Sequence, residues 1–541
     1  MLDHHVLQLL REAMQLHRLP LDPWQITVCP DLDRETALHG PAHLQRRLAG
    51  EWGTVPGTYW LQHTCAIPAQ FAGHPVRLTL RVGSEYPLSY RRVPWGVNLD
   101  LQFEGQLYVN GEAFCGLDPN HDEVLLTPNA KAGDVFELVV EGYTRSPKPK
   151  FLHSVLWVPD QPVCTLYYDF VSLRDLVQGF GYAGVPSDLI QGEADVPSTG
   201  VPDSQMGLAL ARIMDAAARR LLAAGDNWRS SGADVQALIR DGLATLTPTA
   251  SPGALRLAGH CHIDTAWLWR LAETRRKVGR TFSTQLRMME EFPGYTYVQS
   301  APVAYEYCRE DAPEVYAQIK QRVAEGRWSA EGAMYVEADC NLIAGESIVR
   351  QLLYGKGFFQ EEFGIDSKVL WLPDVFGFTG ALPQLLKQAG VDLFFNTKIQ
   401  SIDGKPNPYH NYWWEGIDGT RVMGMHQASY INWAATAQLR AWVGSAAAKG
   451  GIQESLVPFG FGDGGGGATV EDLELVKRWQ DLPFMPELRY VNVHDFVAEL
   501  GQCFREQSDD TPVQSGQLYL EAHRGTYTSV ARIKYLNRHS E

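Results

Sequence analysis

"LAGHCHIDTAWLWR", residues Leu257–Arg270, places two histidines and an aspartate within five residues of an otherwise apolar run. Side chains alternate between the two faces of a strand. His260, His262 and Asp264 stand at i, i+2 and i+4, so they share one face for as long as the strand continues, with Cys261 and Ile263 on the other. Two imidazoles and a carboxylate at the C-terminal end of a strand offer nitrogen and oxygen donors suited to zinc or a similar divalent ion. The competing reading is a pair of core histidines bonded to backbone, which serves a lone His-x-His equally well. The aspartate favours the metal without deciding the matter.

Outward from this stretch, short apolar segments alternate with amphipathic ones. "LRLAGHCHID", "YTYVQS", "WSAEGAMYV", "KVLWLPD", "DLFFNTK", "RVMGMH" and "LVPFGFGD" read as strands. "TFSTQLRMMEEF", "APEVYAQIKQRVAEG", "SIVRQLLYGKGFFQEEFG" and "ALPQLLKQAG" read as helices, the last closed by Gly390. Such alternation predicts a parallel sheet with helices outside, an α/β domain folded as an irregular parallel β/α barrel over residues 251–510. Upstream the style differs. Residues 51–160 carry short alternating strands, with a hairpin signal at Asn110-Gly111, and predict an all-β sandwich. Residues 161–250 carry helical spacing, as in "LALARIMDAAARRLLAAG", and predict a helical connector that ends in the linker "TPTASPGA". Residues 1–50 form a mixed N-terminal segment.

Composition narrows the function classes. The 541 residues are 45% hydrophobic and 20% charged, as in ordinary globular chains. The formal net charge is −16 with no basic run, which argues against nucleic acid or an anionic membrane surface as partner. Eight cysteines without a C-x-x-C pair do not make a disulfide scaffold or a zinc finger. The N-terminus lacks the apolar core of a signal peptide, and no window reaches the roughly 18 apolar residues of a membrane span. A cytoplasmic protein with reduced thiols is expected.

Three further motifs carry chemistry. In "KVLWLPDVFGF", Asp374 follows a buried strand, where barrels place catalytic groups, although an aspartate there also caps turns. In "PFGFGDGGGG", Asp463 ends a strand before four glycines, an open loop that lets a ligand approach backbone; no Gly-Lys-Ser/Thr follows, so it is not a phosphate loop. In "LYLEAHRGTYTS", His523 alone is uninformative. Trp267, Trp269, Trp371, Phe376, Trp413, Trp414 and Trp433 flank these clusters, as core residues or as platforms for the C–H faces of a sugar.

Taken together, "HCHIDTAWLW", "WLPDVFGF", "GFGDGGGG" and "LEAHRGTYTS" resemble, in this order, glycoside hydrolase family 38, the α-mannosidases of the cytosolic or bacterial class. "LQFEGQLYVNGEAFCGLDPNHDEVLL" resembles the β-domain that precedes the catalytic domain in that class, so the resemblance spans nearly the whole chain. It implies that His262, Asp264, Asp374 and His523 ligate zinc, with cobalt suiting the same donors. It implies that Asp374 is also the nucleophile, Asp463 the general acid/base and Trp267 a sugar platform. His260 matches a neighbour of the ligands on the substrate side, and Lys398 in "FNTKI" takes the place of a basic residue near the nucleophile.

The activity so implied is metal-dependent, retaining hydrolysis of terminal α-mannosides of oligosaccharides through a glycosyl-aspartate. Such chemistry needs a nucleophilic and an acid/base carboxyl about 5–5.5 Å apart. Family members continue past the last histidine motif, whereas this chain ends at Glu541, so residues 511–541 are expected to begin a truncated helical domain. Domains beyond it would supply part of the pocket. Two other readings stay open from the residues: a barrel hydrolase that turns metal-bound water on amides or esters, and a carbohydrate-binding remnant without turnover. Homo-oligomerisation stays open as well.

Overall fold

The computed structural model describes residues 2–28, 45–47, 57–83, 103–144, 151–181, 204–247, 253–399, 401–402, 405–407, 409–427, 429–430, 435–436, 438–440, 443, 452, 454–507 and 509–541. Most of the linker, Trp433 and Cys29 lie outside them.

Two antiparallel sheets fill the first part. One orders Gln15–Pro20, Phe151–Pro159, Val76–Gly83 and Glu123–Thr127. The other orders Gln45–Arg47, Gln25–Val28, Gly57–Ala66, Val135–Thr144, Phe103–Val109 and Glu112–Leu117. Residues 1–50 supply three of these strands. Alternation decides which side chains meet. Leu138 and Val140 join Leu61, Leu78, Leu80, Leu107 and Leu156 in a core drawn from both sheets, while Val139 turns the other way onto Trp60. At the expected hairpin, Asn110 (φ 50°) and Gly111 (φ 91°) both occupy the left-handed region that its two-residue turn requires.

Helices Leu2–Ala13, Gln161–Gly179, Ser204–Ala223 and Gly232–Ala244 follow their apolar spacing. Leu7, Leu10, Phe170, Leu210, Leu221 and Ile239 pack together in a core that continues into Leu255, Leu257, Trp328 and Trp479.

The second part holds the expected strand–helix alternation. Trp328–Ala330, Tyr297–Gln299, Ala254–His260 and Leu456–Phe459 form a parallel sheet, and Glu487–Tyr490 also pairs with Ala254–His260. A second sheet runs Val369–Trp371, Leu393–Asn396, Arg421–His426, Asn411–Glu415 and Val513–Ser515, with one antiparallel pair between Arg421–His426 and Asn411–Glu415. Ala258, Val298 and Leu456 from the first sheet and Val369, Trp371, Leu393, Phe395 and Met425 from the second share one core.

Two boundaries differ from the sequence reading. The central strand ends at His260, so His262 and Asp264 lie in the loop beyond it. The helix expected from Thr281 begins ten residues earlier and spans Leu271–Glu291. Its first half lacks apolar periodicity because it buries charge. Lys277 and Arg280 both bind Glu104 of the N-terminal sheets, at 2.6 and 2.7 Å, and Arg280 also pairs with Glu273. No helix among the described residues is long and apolar enough to cross a membrane. Cys65, Cys115, Cys164, Cys261, Cys308, Cys340 and Cys503 are free thiols.

Gly259 allows the central strand to pass Tyr295. A Cβ there would lie 1.7 Å from the Tyr295 hydroxyl, which donates to Gln285 Oε1 at 2.5 Å in a fully buried position. Gly259→Ala is expected to lower stability by about 1–3 kcal/mol or more through overpacking, read as a shift in the denaturant midpoint. An unchanged midpoint would contradict this packing.

Candidate active site

The ends of several parallel strands bring the polar residues together. Once the ladder stops at His260, the chain turns and buries His262 among carboxylates. Its Nε2 lies 3.6 Å from Asp264 Oδ1 and 3.6 Å from Asp374 Oδ2, and its Nδ1 lies 3.1 Å from Glu337 Oε2. His260 does not share this cluster. It is fully buried, its Nε2 accepts from the Trp371 indole at 3.1 Å, and burial followed by the neighbouring His262 pushes its pKa down to about 3. The expected common face fails because the strand pairing does not extend past His260.

Asp374 sits in the turn after Val369–Trp371. Asn396, at the end of the adjacent strand, holds that turn by donating to the carbonyls of Leu372 and Val375 at 2.7 and 2.9 Å. The same side chain accepts from the backbone N–H groups of Lys398 and Ile399 at 2.8 and 3.0 Å. One buried asparagine thus places both partners of the ion pair between Lys398 Nζ and Asp374 Oδ1, 2.6 Å apart. Ser300 Oγ donates to Glu337 Oε1 at 2.7 Å and leaves Oε2 toward His262.

Asp463 enters from the loop after Leu456–Phe459, with φ +53°. It is buried, and Tyr430 Oη donates to its Oδ1 at 3.0 Å. Burial, with Asp264 and Asp374 adding to it against the opposing pull of His262 and Tyr430, pushes the Asp463 carboxyl up to about 6. His262, Asp264 and Asp463 each offer a donor atom within 4.8 Å of the others. His523 stands outside this triad, in the short turn Glu521–His523, with its ring 4.9 Å from Phe376. Burial and then Lys398 lower its pKa, while Asp374 acts in the opposite direction. Of the flanking tryptophans, Trp371 and Trp414 are fully buried core residues; Trp267 is 43% exposed and meets the buried Trp269 edge-on.

Electrostatics indicate what this arrangement accepts. Asp264, Glu337, Asp374 and Asp463 crowd His262, with Lys398 as the ammonium among them. Burial opposes protonation of His262, yet Glu337, Asp264 and Asp374 drive its pKa well above the ordinary range. Both His262 nitrogens, Asp264 Oδ2, Glu337 Oε2 and His523 Nδ1 are buried without an aligned hydrogen-bond partner. Each such group would cost about 1–3 kcal/mol if it stayed unmatched. Imidazole and carboxylate donors in a field short of positive charge fit a divalent cation of the zinc type.

Glu337, Tyr430 and Asn396 were not marked by the sequence reading. Glu337 follows the stretch Trp328–Val336 that reads as a strand, of which only Trp328–Ala330 is one, and Tyr430 belongs to no motif. Asn396 stands two residues before Lys398, within the segment "DLFFNTK" that reads as a strand.

Residues 253–517 match the glycosyl hydrolases family 38 N-terminal domain. This is a narrower span than the motifs suggested, and His523 falls beyond it. The chain is similar to Alpha-mannosidase G of Dictyostelium discoideum, 37% identical over 283 residues, covering 52% of this chain and 26% of that protein. It is similar to Alpha-mannosidase of Saccharomyces cerevisiae, 36% identical over 301 residues, covering 52% and 27%. The chain therefore spans only a minor part of the length of these relatives. Among solved structures, an alpha-mannosidase from Enterococcus faecalis V583 aligns with a TM-score of 0.42 at 21% identity, covering 49% of this chain and 31% of that one.

The charge imbalance makes a direct prediction. Titration of the metal-stripped chain with zinc should show one saturable site that raises the melting temperature. Asp264→Ala and His262→Ala should each weaken it at least about tenfold, in line with loss of a metal ligand or its support. Equal binding by both variants and the parent would contradict a cation site here.

Proposed function

We propose that this chain, whose residues 253–517 match the glycosyl hydrolases family 38 N-terminal domain, is a metal-dependent retaining α-mannosidase. Its substrate would be terminal α-mannosides of oligosaccharides, in keeping with the names of its relatives. The observation that carries this reading is the convergence of Asp374 and Asp463, from different strand ends, on the same imidazole.

The two carboxyl groups sit in environments that separate their roles. Asp374 is oriented by its ion pair with the Lys398 ammonium, which fixes the carboxylate for attack. Asp463 is buried and raised to about 6, so it can hold a proton close to neutral pH. Attack by an Asp374 oxygen on the anomeric carbon forms a glycosyl ester as Asp463 protonates the departing oxygen. Asp463 then takes a proton from water, which attacks the same carbon and releases Asp374 with net retention. Tyr430 occupies Asp463 Oδ1 and leaves the other oxygen for proton transfer. Trp267 offers an exposed ring to a sugar face. His260, fully enclosed behind Trp371, would act by packing rather than by touching sugar.

His262, Asp264, Asp374 and His523 would hold the ion, zinc or cobalt, with Glu337 orienting His262 through Nδ1. When bound, such an ion would supply electrostatic attraction for adjacent sugar hydroxyls, for which the cis 2,3-diol of mannose is suited. In this reading the N-terminal sheets form a sandwich, the helices after it a connector, and the two later sheets an irregular barrel. The free thiols fit a reducing, cytoplasmic setting.

Hydrolysis of an aryl α-mannoside should be lost on chelation and restored by zinc, with α-mannose as the first product by NMR. Asp374→Ala should abolish turnover. Asp463→Ala should cost about 10²–10⁴-fold with poor leaving groups and far less with activated ones. Chelator-resistant hydrolysis, or β-mannose as first product, would contradict the proposal.

A further inference from the structure

The glycine run was expected to leave room for a ligand. In the structure its neighbours are the protein's own side chains. Gly464, Gly466 and Gly467 are buried, and all adopt positive φ. A Cβ on Gly466 would lie 2.7 Å from His121 Cε1 and 3.1 Å from Asp118 Oδ2. A Cβ on Gly464 would lie 2.4 Å from the Lys277 stem, whose ammonium is bound by Glu104. Asp118, His121 and Glu104 all belong to the N-terminal sheets or their turns.

The His121 contact is a buried clamp. His121 is 4% exposed. Its Nδ1 lies 2.9 Å from Asp118 Oδ2 and its Nε2 lies 3.2 Å from the Ala468 carbonyl. Both partners only accept, so an imidazolium with two N–H donors satisfies both at once. Asp118 Oδ1 in turn accepts from the backbone N–H groups of Asn120 and His121, at 2.7 and 3.1 Å, which stiffens the turn that carries the ring. From the other side Gln285 donates to the carbonyls of Gly466 and Ala468 at 2.5 and 3.1 Å. The loop is closed at its base by reciprocal bonds between Phe461 and Gly467, at 2.9 and 3.0 Å, and Gly464 N donates to the His262 carbonyl at 2.8 Å. These restraints act on the backbone that flanks Asp463, held at φ +53°, and one side of the grip comes from outside the matched domain.

We propose that Asp118 and His121 are positioning residues, by which the N-terminal sheet module holds the loop that presents Asp463 to the site. The proposal rests on the reading of Asp463 as the acid/base only for its kinetic consequence. Its structural content is the restraint of residues 460–468.

The test uses the full 541-residue chain with three variants, Asp118→Asn, His121→Ala and Gly466→Ala. Asp118→Asn is isosteric and keeps the turn, so it guards against simple misfolding. Hydrogen exchange of the 460–468 backbone should accelerate at least about tenfold in Asp118→Asn and His121→Ala, since the loop loses a restraint. Unchanged exchange in both would overturn the clamp. Turnover of aryl α-mannosides should fall about tenfold or more for poor leaving groups, with activated substrates and zinc affinity affected much less, as for a displaced acid. Gly466→Ala should show the same leaving-group dependence. Faster exchange with an equal loss on all substrates would overturn the positioning role. If Asp463→Ala itself shows no leaving-group dependence, the acid/base reading fails, and exchange alone decides the clamp.

Discussion

An excess of negative charge gathered around one buried imidazole is the constraint on which the second half of the molecule depends. Carboxylates this close repel one another, and burial strengthens the repulsion. Lys398 offsets part of it through Asp374. The remainder explains why His262 is driven toward protonation and why several polar atoms of the cluster lack hydrogen-bond partners. A bound cation would resolve both conditions, and its binding free energy would then add to the stability of the fold.

Holding such a cluster together requires rigid supports that carry no net charge themselves. Asn396 spans two strand ends and sets the turns of Asp374 and Lys398 together. Ser300 steadies Glu337, and Tyr430 steadies Asp463. The backbone of the Asp463 loop is bound by Gln285, whose own oxygen accepts from Tyr295, the residue that Gly259 accommodates. A line of contacts therefore runs from the central strand, through Tyr295 and Gln285, to the loop that carries Asp463. The helix Leu271–Glu291 that carries Gln285 is wedged between the two halves of the chain, with Gly116 N donating to its Thr284 at 2.8 Å and Arg77 paired with its Glu291 at 2.5 Å.

Much of this was legible in the sequence, for a physical reason. Polar residues at the ends of apolar strands interrupt a strong pattern, so His262, Asp264, Asp374 and Asp463 stood out from it. What could not be read were partners whose role depends on three-dimensional return. Glu337 and Tyr430 come from stretches without regular structure, and Asn396 acts through backbone groups that no pattern reveals. Periodicity also misplaced the start of the Leu271–Glu291 helix, because its polar face is buried in ion pairs instead of facing water. His260 was grouped with His262 by strand spacing, which holds only while the ladder lasts. The glycines after Asp463 were expected to open the loop to a ligand, whereas the groups that approach them are His121, Lys277 and Gln285.

The central claim is that Asp374 attacks the sugar while Asp463 moves the proton. Covalent trapping tests it most directly: the zinc-loaded chain is incubated with a fluorinated mannosyl fluoride, digested, and mapped by mass spectrometry. The account predicts one fluoromannosyl adduct per chain, on the peptide that contains Asp374 and at that side chain. An adduct on Asp463, or turnover of the reagent without any covalent adduct, would contradict it.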